Sequence, residues 1–283
     1  MKKIDTLVQD IYELMDKGAD VRTEDVEGFG KDLSRIVEER LKPSERKPYL
    51  RMSSLGTKCD RKLWYSINRP EMAEDMPSYV KLKFLIGDVW EAVLLFLAKA
   101  AGHSVEGQQD TQDLYGVKGH RDAVIDGTVT DVKSASSRSF TKFEEGLSPE
   151  RDDFGYITQL QGYLHTGQED PLVTDKGRAA FLAGDKTLGK IVVDVHPVAD
   201  IDFESVVATK KKMLARDNPP PRAYSDEADG KSGNRKLGVA CSYCEFKQGC
   251  WPGLRTFLYS NGPRYLTQVV REPKVDSAEK DLF

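Results

Sequence analysis

The sequence contains no long apolar run. No stretch approaches the ~18 consecutive apolar residues that a bilayer span requires, and the opening Met1-Lys2-Lys3-Ile4-Asp5 leads into acidic sequence, not an apolar signal core. The protein is therefore expected in the cytoplasm. Cysteine is scarce, four in 283 residues. That excludes a disulfide-built scaffold, and in a reducing compartment four cysteines serve as thiols or metal ligands rather than as two disulfides. A large charge excess is missing too: 42 Lys and Arg against 46 Asp and Glu leave a net charge of −4, which excludes a chain that is basic throughout. No internal repeat is present. What remains is a globular composition, 39% hydrophobic and 31% charged with a mean hydropathy of −0.52, long enough for one large domain or two small ones.

The charge is unevenly placed. Residues 1–30 carry eight acids and four bases, whereas 31–69 carry eleven bases and five acids, and 205–255 carry ten and five. If the two basic segments converge they form a positive track suited to a polyanion; if they do not, they are two solvated faces.

Helical spacing of Leu7, Ile11, Leu14 and Met15, and then of Leu33, Ile36, Val37 and Leu41, predicts two N-terminal helices broken at Gly18 and ended by Lys42-Pro43-Ser44. A long helix is predicted from Tyr79 to Ala101, with Leu82, Leu85, Ile86, Val89, Val93, Leu94, Phe96 and Leu97 making it a buried core helix. Strands follow near 103–109, 117–125 and 128–134, the last two joined by Asp126-Gly127, a strong hairpin signal. A helix at 154–165, strands at 178–183 and 190–196, and a helix at 203–216 complete an α/β order around a mixed sheet. Residues 222–240 read as a polar connection and 272–283 as a disordered tail.

The hairpin carries chemistry. Asp122 and Asp131 lie symmetrically about the turn, so they can face each other across the ladder, and Asp131 and Lys133 project from one face. Two carboxylates that close repel unless a cation joins them, and hard oxygen ligands favour Mg2+ or Mn2+. Glu91, beside Gly87, Leu94 and Leu95 on the long helix, supplies a third carboxylate whose burial demands a partner. Taken singly, each has a structural reading: a strand-edge charge, a surface ion pair, a helix-surface acid.

Glu91, Gly119-x-x-Asp122, Asp131-x-Lys133 and Gln159-x-x-x-Tyr163 together resemble the PD-(D/E)XK nuclease superfamily in its RecB-like branch. The resemblance implies a restriction-endonuclease-like core, a mixed central sheet flanked by helices, here with added N-terminal helices. It implies that Glu91, Asp122, Asp131 and the Val132 main-chain carbonyl bind the divalent metal, that Lys133 orients or activates the attacking water, and that Gln159 and Tyr163 face the DNA end. Two departures stand out: Arg121 replaces the proline of the family's name, and Glu91 stands where many members have a histidine.

Cys241-Ser242-Tyr243-Cys244 and Cys250 form C-x2-C-x5-C, and Cys59 lies 182 residues upstream. Three thiolates in one loop plus a distant fourth suit tetrahedral Zn2+ or an iron-sulfur cluster. The layout resembles the iron-sulfur exonucleases, the CRISPR-associated Cas4-type nucleases and the AddB nuclease domain, which implies a 4Fe-4S cluster on Cys59, Cys241, Cys244 and Cys250, with Zn2+ as the alternative. The implied organisation is an N-terminal helical region (1–48), a nuclease domain with its cluster (49–258) and a tail (259–283).

Lys58, Arg61, Lys62, Arg235, Lys236 and Lys247 flank the cysteines together with Trp64, Tyr65, Tyr243 and Trp251, a mix that suits single-stranded DNA or, for the aromatics, packing over the cluster. By strand alternation His120 shares the face of Asp122 and, with Tyr163, is a DNA-contact candidate. The activity implied is metal-dependent exonucleolytic hydrolysis of DNA, on single strands or free ends, in recombination, repair or phage DNA processing. The alternative is a DNA-binding or end-processing subunit of a larger recombination or CRISPR-adaptation complex.

Overall fold

The structure, a computed structural model, describes residues 2–43 and 48–278. The elements run α1 (Leu7–Lys17), α2 (Thr23–Leu41), α3 (Asp60–Asn68), α4 (Ser78–Ala100), β1 (Val105–Glu106), β2 (Thr111–Leu114), β3 (Val117–His120), β4 (Ala123–Ile125), β5 (Thr128–Ala135), α5 (Ser137–Glu144) and α6 (Tyr156–Thr166). They continue through β6 (Arg178–Asp185), β7 (Ile191–Pro197), α7 (Phe203–Leu214), β8 (Glu227–Ala228), β9 (Arg235–Lys236), α8 (Val239–Ser242), α9 (Lys247–Cys250), β10 (Arg255–Tyr259), β11 (Gly262–Gln268) and β12 (Ser277–Ala278). They fall into two units. One holds the N-terminal helices, Leu50–Gly56 and Ser78–Thr209; the other holds Thr57–Pro77 and the chain from Lys210 onward.

The first unit is a mixed α/β layer structure. Its central sheet has the order β1-β4-β5-β6-β7, antiparallel except for the parallel pair β5 and β6. That pair requires a crossover, which α5 and α6 provide. Strands buried on both faces send alternate residues to opposite cores. Ala179, Phe181 and Ala183 of β6 pack with Phe140 and Phe143 of α5, Leu160 and Leu164 of α6, and Phe203 and Val207 of α7. Ala180 and Leu182 pack on the other side with Leu7 and Ile11 of α1 and Leu94, Leu95 and Ala98 of α4. The Asp126-Gly127 turn forms as expected, both residues in the left-handed region (φ 49° and 78°).

Several expectations are corrected. The long helix is present but is not buried along its length: Tyr79, Leu82, Phe84 and Ile86 are exposed, and only Leu94, Leu95 and Ala98 are buried. Periodicity reports an apolar face, not whether anything covers it. The strand expected over 117–125 is two strands in different sheets, β3 pairing with β2 and β4 with β5, interrupted at Arg121-Asp122. The helix α5 and the strand β2 were not expected.

In the second unit a sheet of order β12-β10-β11-β9-β8 occupies sequence read as a polar connection (β8 and β9), as the end of the nuclease domain (β10) and as a tail (β11 and β12). Ser260-Asn261 turns β10 into β11, with Tyr259 and Gly262 as the closing pair, in weakly alternating sequence. The last part of that predicted tail, 279–283, lies outside the described residues. No helix among the described residues is long and apolar enough to cross a membrane.

Candidate active site

On β5, Val129 and Ala135 belong to the α5–α6–α7 core, so Asp131 and Lys133 emerge on that side, facing α6. The Lys133 ammonium pairs with Asp131 Oδ2. Gln159 Nε2 donates to Asp131 Oδ1 at 3.3 Å, and Tyr163, one turn further along α6, is buried and hydrogen-bonded to Gln159.

Asp122 enters from the break between β3 and β4. The Arg121 guanidinium is fully buried and paired with Asp110 at 3.0 Å and Asp170 at 2.6 Å, which anchors the break and leaves Asp122 free of the ladder. Asp122 Oδ2 accepts the main-chain N–H of Val132 at 2.7 Å. The N–H and C=O of a strand residue leave on the same side, so the Val132 carbonyl faces this edge as well. From α4, Glu91 Oε1 accepts from Gln109 Nε2 at 2.8 Å. The structure thus brings Glu91, Asp122, Asp131, Val132, Lys133, Gln159 and Tyr163 to one locality. His120 does not join them: it ends β3 exposed, and the break at Arg121 cancels the alternation that placed it beside Asp122.

Three carboxylates against one ammonium make a strained field. Burial, then the Asp131 charge, pushes Glu91 up to about 7. Burial and the charges of Asp131 and Glu91 hold Asp122 well above the usual carboxylate range. For Lys133, burial alone would lower the value, but Asp131 and Asp122 outweigh it and keep the amine protonated. Burial raises Tyr163 to about 12, so its hydroxyl stays neutral.

Among the described residues, no three His, Cys, Asp or Glu side chains stand close enough to enclose a metal ion as they are placed. Each carboxylate is instead turned to a protein donor. The chemistry of the set nevertheless fits a hard divalent cation: the donors are all oxygen, the net charge is negative, and buried Asp131 Oδ2 has its ion pair but no hydrogen-bond donor. A cavity of about 770 Å³ between α2 and α4 reaches Glu91, Asp122 and Gln109. Its α2 wall contributes no buried residue and is fastened to α4 by Asp25–Lys99 at 2.7 Å, by Arg40–Asp88 and by the stacked Phe29 and Phe96 rings.

Sequence reasoning missed Gln109 and Tyr156 here, and marked Arg121 only as a replacement for the family's proline. Gln109 holds Glu91, Arg121 anchors the strand break, and Tyr156 lies under Lys133 with its ring centroid 4.6 Å from Nζ. Only the Asp152-Asp153-Phe154-Gly155 turn ahead of α6 could have drawn attention to Tyr156.

All four cysteines lie in the second unit, free and half-buried. Burial, then Cys244, Cys250 and Cys59, pushes Cys241 up to about 11, and burial raises Cys244. Cys59 Sγ accepts from Lys62 N–H at 3.4 Å, capping α3. Of the flanking residues, Lys58 and Lys62 are exposed, but Arg61 is engaged with the Pro220 carbonyl (2.7 Å), Arg235 with Asp226, and buried Lys247 with Glu74. Trp64 is buried and bonds the Arg216 carbonyl at 2.8 Å, a packing role, while Tyr243 is exposed.

No family model matches the chain, and no curated protein matches it. Solved structures resemble it at low identity, and two of them serve for comparison. The crystal structure of SSO0001 is 17% identical with a TM-score of 0.41, covering 76% of this chain and 91% of that one. An alkaline exonuclease, LHK-Exo, from Laribacter hongkongensis is 12% identical with a TM-score of 0.37, covering 64% and 92%. At these values the functional reading rests on the chain's own residues.

Proposed function

We propose that this chain is a divalent-metal-dependent deoxyribonuclease with a restriction-endonuclease-like core of the PD-(D/E)XK, RecB-like type, acting on single-stranded DNA or DNA ends. The observation that carries the reading is the locality built by Asp131, Lys133 and Gln159 with Asp122 and Glu91, drawn from α4, the β3–β4 break, β5 and α6.

Glu91, Asp122, Asp131 and the Val132 carbonyl are the residues that would hold Mg2+ or Mn2+. Such an ion, when bound, supplies an acidified water and charge to offset that developing on the phosphate. The chain's own residues do the rest. Lys133, kept protonated by its acidic neighbours, acts as a cation and hydrogen-bond donor beside the phosphate and water, not as the base. Gln159 fixes the orientation of Asp131, and Tyr163 fixes Gln159. In the second unit the four cysteines are proposed to hold a 4Fe-4S cluster, or Zn2+, as a structural tie.

The test is release of label from end-labelled single-stranded DNA with Mg2+ or Mn2+, comparing the intact protein with Lys133→Ala, both purified without oxygen. Metal-dependent release by the first alone supports the reading. Binding without release under all conditions replaces it with a DNA-binding subunit of a larger recombination or integration complex.

A further inference from the structure

The loop entering α6 is held firmly for a segment at the surface. Buried Asp152 accepts hydrogen bonds from four successive main-chain N–H groups: Oδ1 from Phe154 (3.3 Å), Gly155 (2.8 Å) and Tyr156 (3.0 Å), and Oδ2 from Ile157 (2.9 Å). Gly155 takes φ +78°, and a Cβ on it would lie 2.2 Å from the Gly56 carbonyl oxygen. The aromatic residues on either side of it go opposite ways. Tyr156 turns inward, under the Lys133 ammonium and against Phe143 and Phe181. Phe154 turns outward, 65% exposed, yet stacks on the Tyr156 ring at 5.3 Å with 27° between planes.

Neither the turn nor the cap requires an aromatic ring at Phe154, since Asp152 binds only main-chain groups. A ring that exposed also contributes little to the core. What the arrangement produces is a rigid apolar surface, one ring away from the lysine proposed to face the scissile phosphate. A nucleic-acid strand presents bases and phosphates in alternation; this stack presents a ring at the surface and, one ring behind it, a cation. Stacking on an aromatic suits any base, because every base has a π face.

We propose that Phe154 is a stacking platform for the nucleobase adjoining the scissile phosphate, and that Tyr156 is a positioning residue carrying both Phe154 and Lys133 in one fixed stack. This rests on the nuclease reading above and names the part of the substrate that the site grips.

The binding test needs no catalysis. Phe154→Trp in the full-length protein, with chelator present, is titrated with oligothymidylate and with an equally long strand of abasic sugars, and binding is followed separately by anisotropy of a labelled strand. The added tryptophan emission, taken as the difference from the parent protein, is quenched by oligothymidylate and not by the abasic strand. Binding of oligothymidylate that leaves this emission unchanged overturns the platform.

With metal, the parent protein cuts beside a base faster than beside an abasic site by about fivefold or more, the low end for stacking of one base. Phe154→Ala brings that ratio toward one, and Phe154→Trp keeps it. Tyr156→Leu lowers kcat with KM little changed, and Tyr156→Phe restores it. A parent protein that cuts DNA while Phe154→Ala keeps the same ratio sinks the platform alone. A parent protein that neither binds nor cuts any strand sinks the nuclease reading itself.

Discussion

The main-chain N–H of Val132 donates to Asp122 Oδ2 at 2.7 Å, one step beyond the last β4–β5 pair, Ala123 with Thr130. A side chain thus completes the hairpin where the ladder ends, and one carboxylate carries both a structural bond and the chemistry assigned to it. The two separate by substitution. Asp122→Asn keeps an acceptor for Val132 but loses the charge, so nuclease activity falls about 100-fold or more while the melting temperature in chelator at pH 8 holds or rises. Asp122→Ala loses both and melts below Asp122→Asn, by about 1–3 kcal/mol for an unpaired main-chain donor. Equal melting of the two variants refutes the structural bond.

The carboxylate cluster makes stability pH-dependent in a direction opposite to ordinary salt bridges. Glu91 is raised from 4.5 to about 7 and Asp122 is raised as well, so the folded state holds protons that the unfolded chain has released. The favourable contribution of Glu91 is complete below about pH 4.5 and is lost as pH rises through about 7, and that of Asp122 runs in the same direction. In chelator, the denaturation midpoint declines across that window. Mg2+ or Mn2+ stabilises the ionised carboxylates and flattens the decline. Glu91→Gln shrinks the slope without metal; a slope unchanged in that variant removes Glu91 from the cluster.

What the sequence made legible is local and periodic. The Asp126-Gly127 turn, the same-face placement of Asp131 and Lys133, and the one-turn spacing of Gln159 and Tyr163 follow from strand and helix geometry alone. What stayed hidden depends on partners distant in sequence. The break at Arg121 exists because Asp110 and Asp170 receive its guanidinium, and Gln109 matters only once α4 brings Glu91 to it. The exposed start of α4 has the same apolar spacing as its buried end, so composition could not tell them apart. The helix α5 starts in a serine-rich stretch whose intrinsic preference is weak; Phe140 and Phe143 against β6 decide it.

Gly119 is the residue of the Gly119-x-x-Asp122 pattern whose side-chain absence has a visible reason. A Cβ there would sit 2.8 Å from Met52 Cβ and 2.9 Å from the Tyr163 hydroxyl oxygen. Gly119→Ala is expected to destabilise by about 1–3 kcal/mol, the usual cost of overpacking, and to disturb Tyr163 and through it Gln159. Adding Tyr163→Phe removes one of the two clashes. The double variant is therefore expected to recover part of the loss in urea denaturation; if it recovers none, Met52 alone sets the cost.

The cysteines permit a test independent of DNA cleavage. Cys241, pushed up to about 11, and the raised Cys244 are protonated thiols at neutral pH, while metal and cluster binding requires thiolates. Loading should therefore release protons and raise the urea midpoint, since the ligands join segments at Cys59 and at 241–250. Adding ferrous iron and sulfide without oxygen is expected to yield visible absorbance and iron in the parent protein, and little in Cys59→Ala or Cys250→Ala. Loading by Zn2+ alone, with no stable iron product, would assign the site to zinc. If Cys59→Ala binds as much of either metal as the parent protein, the fourth ligand lies elsewhere and the tie between the two segments is not made by metal.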